Sequence, residues 1–74
     1  MNFIETNNSI LIASIIKNKD KWQICLRSKI TDCVAKSQES DNFTTIISIY
    51  QKVIETMMKE NHTEQELMEF VSSN

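Results

Sequence analysis

Neither Gly nor Pro occurs anywhere in the 74 residues of this chain. Average usage would place about nine of them in such a length. Gly is the default where the backbone must turn left-handed or approach a ligand closely. Pro breaks helices and stiffens turns. A chain with neither has little to interrupt a helix and no glycine-rich loop to cradle phosphate. The first expectation is therefore helical. Where the helices stop must be decided by side-chain caps alone.

The apolar spacing supports that expectation over much of the chain. Phe43, Ile46, Ile47, Tyr50, Val53, Ile54, Met57 and Met58 recur at steps of three and four. That spacing predicts a helix over 42–60 with one apolar face. Ile49 lies outside the stripe and widens it. Trp22, Leu26, Ile30 and Cys33 recur at four, four and three, with Val34 on the same face. They predict a second amphipathic helix over 20–37. The loop between them, Ser37 to Asp41, offers Ser40 or Asp41 as the next N-cap. Asn61 and His62 interrupt the pattern, Asn61 being the best substitute for Gly at a helix stop. Thr63 and Glu66 then match a capping box, ahead of a terminal helix over 64–72 built on Leu67, Met68, Phe70 and Val71.

The run from Ile10 to Ile16 is ambiguous. Its β-branched content favours a strand, but a strand needs a partner, and no second convincing one stands out. A short helix over 9–17, capped by Asn8 or Ser9, is the expectation. The whole reads as one all-α domain over 1–74, of three and at most four helices. Its core is an antiparallel helical hairpin over 20–60, with a short N-terminal segment and a short C-terminal helix.

Charge is divided unevenly. Residues 1–36 hold six Lys and Arg against three acids, and residues 37–74 hold two Lys against seven acids, within a net charge of −2. The asymmetry suits two segments folding onto each other, or a partner with complementary patches; solvated helix faces are the simpler reading. A chain this short buries only about 60% of its unfolded surface. Association with another protein, or with a second copy, is the expected source of further stability.

Chemistry-bearing residues are sparse. Cys25 and Cys33 are the only cysteines and His62 the only histidine. On one helix the two Cys would stand about 12 Å apart, beyond the reach of a disulfide, and both would face the core. Too few ligands remain for a tetrahedral zinc site. Neither Cys sits at an electropositive helix start that would favour a thiolate. No enzyme activity, cofactor or metal is expected. Lys17, Lys19 and Lys21 beside Trp22 resemble a single-strand nucleic-acid footprint, but Trp22 falls on the apolar stripe, so nucleic acid is not favoured. Tyr50, Met57, Met58 and Met68 fit either a repackable partner groove or the hairpin core. No signal peptide is expected at Met1, Ile10–Ile16 is too short to span a bilayer, and free cysteines suit a cytoplasmic home.

The stretch from Trp22 to Met58 resembles the small helical needle co-chaperones of bacterial type III secretion. The likeness lies in an amphipathic segment, a short polar loop, Phe43 near the next helix start, and the segment Ile49-Tyr50-Gln51-Lys52-Val53-Ile54. It covers about half the chain. It implies a non-enzymatic helical hairpin that pairs with a larger helical-repeat chaperone and keeps a secreted subunit soluble. Contacts would fall on Phe43, Ile47, Tyr50, Ile54 and Met57, or on Ile46, Ile49 and Val53 if the partner takes the other side. The alternative, of a second class, is a small homodimeric regulator or inhibitor of another protein, of the kind phages and plasmids encode.

Overall fold

The computed structural model describes residues 2–59 and 63–74, except the side chains of residues 2 and 3. The chain runs β1 (Asn2–Asn7), β2 (Leu11–Asn18), β3 (Lys21–Ser28), β4 (Val34–Lys36), α1 (Phe43–Met58) and α2 (Glu64–Ser73). The strands form an antiparallel meander in the order β1-β2-β3-β4. Both helices lie on one face of that sheet. The protein is thus mixed α and β, and the all-α helical hairpin expected over 20–60 is not formed.

The correction has a definite physical origin. Trp22 and Leu26 are four apart, and four residues bring a side chain back to the same face in a helix and in a strand alike. The true period of β3 is two: Ile24 and Leu26 are fully buried, as is Ser28, with Trp22 packed against the same core. Ile30 and Val34, expected on a core stripe, are 73% and 52% exposed. Cys25 points to the opposite side of the sheet from Leu26, and Cys33 is exposed before β4, so neither is a core cysteine; both are free. The segment 9–17 becomes β2, which pairs with β1 on one side and β3 on the other. Its missing partners were its two neighbours in sequence.

The turns are made without glycine. Lys19, in the two-residue link from β2 to β3, takes φ 58°, and Asp32, before β4, takes φ 63°. Asn8, expected to cap a helix, instead closes the β1–β2 turn: its Oδ1 accepts from Ile10 N at 2.8 Å and Leu11 N at 2.7 Å. The same short acceptor serves either purpose.

Of the two observed helices, α1 falls within the expected 42–60 and α2 runs one residue past the expected 64–72. The N-cap of α1 is Asn42, whose Oδ1 accepts from Thr45 N at 3.3 Å, rather than Ser40 or Asp41. Thr63 caps α2 by accepting from Glu66 N at 3.1 Å. Asn61, expected as a helix stop, and His62, expected as a turn residue, lie outside the described residues, as does Glu60 at the expected end of the longer helix.

Between sheet and helices lies a single core. Leu11, Ala13 and Ile15 of β2, Ile24 and Leu26 of β3 and Ala35 of β4 meet Ile46, Tyr50, Val53 and Met57 of α1 and Leu67 and Val71 of α2. Two contacts orient α1 on the sheet. The Trp22 and Phe43 rings pack with centroids 4.5 Å apart. The Tyr50 hydroxyl lies 3.0 Å from the Ala13 carbonyl and 2.8 Å from Thr6 Oγ1. With one proton to give, Tyr50 donates to the carbonyl and accepts from Thr6. No described helix is long and apolar enough to cross a membrane.

Candidate functional site

Among the open surfaces of the described residues, two are built on the sheet, one at its β1 edge and one on its helix-free face. The first is the β1 edge and the flank of α1 beside it. β1 is an edge strand of six residues, so its outward peptide groups have no neighbouring strand in the sheet order. Edge strands are commonly guarded by brevity, Pro or Lys. The opposite edge follows that rule, since β4 has only three residues, one of them Lys36. β1 is longer and carries neither Pro nor Lys; its guards are one charge, Glu5, and a register irregularity between Asn2 and Ile4 that leaves Ile4–Asn7 regularly paired.

Alongside β1 runs a groove of about 530 Å³, lined by Ile4 and Thr6 from the strand and by Ile47, Tyr50, Gln51, Ile54 and Glu55 from α1. The geometry follows from the helix period. Ile46, Tyr50, Val53 and Met57 occupy the inward face, so Ile47 and Ile54 are turned about a quarter circle toward β1. They are only half-buried. The Tyr50 hydroxyl closes the floor of the groove by tying α1 to Thr6 and the Ala13 carbonyl. Burial pushes the Tyr50 pKa above its ordinary value of 10.0, with nearby Glu5 adding to the rise and the Thr6 hydrogen bond opposing it.

The second surface is the sheet face turned away from the helices. Strand register arranges it in rows. Glu5, Ser14, Cys25 and Lys36 form one row across the four strands; Asn7, Ile12, Arg27 and Val34 form the next. Ile16 and Gln23 form a third pair. All of these but Asn7 and Gln23 line a depression of about 320 Å³ over Ile12, Ser14, Ile16 and Cys25. Ser14 is 6% exposed at its floor although no helix covers it.

The residues expected to meet a partner divide accordingly. Ile46, Tyr50, Val53 and Met57 are core. Phe43 packs on Trp22, and Ile49 is half-buried against the core. Only Ile47 and Ile54 join Tyr50 in lining an open groove. Of the methionines, Met57 is buried and Met58 is 62% exposed. Sequence reasoning missed Ile4, Thr6 and the whole open sheet face. A signal for that face was present: β2 is apolar or small at six successive positions from Leu11 to Ile16, the pattern of a strand covered on both sides.

The basic cluster near Trp22 takes a different form from a stacking platform. Lys17 Nζ lies 5.1 Å from the Trp22 ring centroid, and the ring itself packs on Phe43. Among the described residues no group of three or more His, Cys, Asp and Glu is placed to hold a metal ion. Comparisons with protein-family models, with curated proteins and with solved structures return no match for this chain.

Proposed function

We propose that this protein is a non-enzymatic protein-binding module that captures an extended segment of another protein as a fifth strand on β1. The observation that carries the reading is the six-residue β1 edge, without Pro or Lys, beside an apolar groove. An added strand would take main-chain hydrogen bonds from β1. Its alternate side chains would fall against Ile47 and Ile54, giving affinity and selectivity by separate means. The segment that fits has apolar residues at every second position on its helix-facing side. The secretion co-chaperone role suggested by the family likeness is one form of this activity, in which the strand belongs to a secreted subunit. That likeness rests on sequence alone, and the stretch that carries it is β3, β4 and α1 in this structure.

A photocrosslinking amino acid placed at Ile4 or Ile54, and as a control at Lys52 on the exposed side of α1, tests the proposal in native cells. Crosslinks from Ile4 and Ile54 to one other protein, lost on Ile47→Asp and absent from Lys52, are expected. Equal labelling from all three positions would overturn the reading.

A further inference from the structure

We infer that the open sheet face is a self-association surface, on which two copies pack face to face as a four-plus-four β-sandwich. This rests on a different surface from the β1 edge and stands independently of the strand-capture reading.

Three observations carry it. First, the outward residues of β2 are Ile12, Ser14 and Ile16. An antiparallel sheet with one face in water normally alternates apolar with polar residues, and this strand does not alternate. The inward residues Leu11, Ala13 and Ile15 are already covered by the helices, so the surplus apolar residues lie on the open face.

Second, the charges of that face are self-complementary. The row Glu5–Ser14–Cys25–Lys36 has an acid at the β1 end, a base at the β4 end and two small residues between. Consider a two-fold axis lying in the interface, bisecting the strand directions of the two copies and passing between β2 and β3. It carries β1 of one copy over β4 of the other. Glu5 then faces Lys36 of the second copy, and Lys36 faces its Glu5. Ser14 and Cys25 stand opposite each other at the centre, where small side chains allow close approach. In the adjacent row Ile12 meets the aliphatic stem of Arg27 across the axis, a long side chain able to cover apolar surface while its charge stays at the margin. Sheets packed in this way lie about 10 Å apart with strands rotated by about 30°. At the outer strands that rotation displaces the facing residues by only about 4 Å, within reach of Glu and Lys side chains.

Third, the area suits a weak dimer. Four strands about 4.8 Å apart and some 20 Å long present about 400 Å² in projection, and more in accessible surface. That projection is about half of the roughly 800 Å² of accessible surface per partner in a standard interface, the scale of a weak dimer. The β1 edges stay open in such a dimer.

Sedimentation equilibrium of the full chain, from 1 to about 200 µM at low salt, tests the inference. The wild type should sediment as a monomer–dimer equilibrium within that range. Glu5→Lys and Lys36→Glu should each raise the dissociation constant about tenfold or more, since each turns two attractive pairs into repulsions. The double variant Glu5→Lys/Lys36→Glu should return it to within about threefold of wild type, which a general loss of folding would not do. Ile12→Asp should abolish the dimer while circular dichroism keeps the native signal. A wild type that remains monomeric at 200 µM overturns the inference. So does a dimer that ignores either charge reversal, or one that the double reversal fails to restore.

Discussion

Replacing Lys19 by glycine should stabilise this protein. Lys19 lies in the link between β2 and β3 with φ 58° and is exposed. A side chain with a Cβ pays about 1–2 kcal/mol to stand in the left-handed region. Glycine removes that cost but gives the unfolded chain more freedom, which takes back about 0.5–1 kcal/mol. The net expectation for Lys19→Gly is a gain of about 0.5–1 kcal/mol, or some 2–8 °C in melting temperature for a domain of this size. Asp32 has φ 63°, but Asp tolerates this region better than Lys, so Asp32→Gly should gain less. Lys52→Gly supplies the contrast. Lys52 is exposed in the middle of α1 with ordinary helical geometry, and glycine there should cost about 1 kcal/mol. Thermal unfolding followed by circular dichroism, at one protein concentration for all variants, reads the order directly. The reasoning is refuted if Lys19→Gly lowers the melting temperature as Lys52→Gly does, or if Asp32→Gly gains more than Lys19→Gly.

Other consequences follow from the core and the caps. Tyr50→Phe removes the hydroxyl that joins α1 to Thr6 and the Ala13 carbonyl and should cost about 1–2 kcal/mol in denaturant unfolding. The same hydroxyl sets an alkaline dependence. Its folded-state pKa is raised, so its stabilising contribution is intact below the ordinary value of 10.0 and is lost as pH rises from there through the folded value. Stability measured across that window should fall more steeply in the wild type than in Tyr50→Phe; parallel curves would contradict the assignment. Leu67→Ala, at a residue 1% exposed, should cost about 2–5 kcal/mol, while Met58→Ala, at a residue 62% exposed, should change stability by less than about 0.5 kcal/mol. Thr63→Ala removes the α2 cap and should cost about 1 kcal/mol, visible as a lower urea midpoint at unchanged slope.

The lining of the β1 groove was legible only where local periodicity had physical force. Ile47 and Ile54 were identified on an apolar helix, and they do line an open groove. Yet the same spacing named Ile46, Val53 and Met57, which the sheet covers. A helix stripe states which residues share a face. It does not state how much of that face a sheet will occupy. Ile4 and Thr6 were out of reach because their role depends on β1 lying beside α1, and the Tyr50–Thr6 contact joins positions 44 residues apart.

By itself the sequence determined the two helices. Their apolar stripes repeat over several turns, no Gly or Pro interrupts them, and Thr63 supplies a local cap that needs no distant partner. Tertiary structure decided the first half. The spacing of Trp22 and Leu26 suits a helix and a strand equally, and β-branched runs such as Ile10–Ile16 take their conformation from what lies beside and above them. Strand hydrogen bonds are made to other segments, so β2 and β3 became strands only through each other, through β1, and through the helices that cover one of their faces. The absence of Gly and Pro bears on both halves. It leaves the helices unbroken, and it obliges Lys19 and Asp32 to make turns that glycine would make more cheaply.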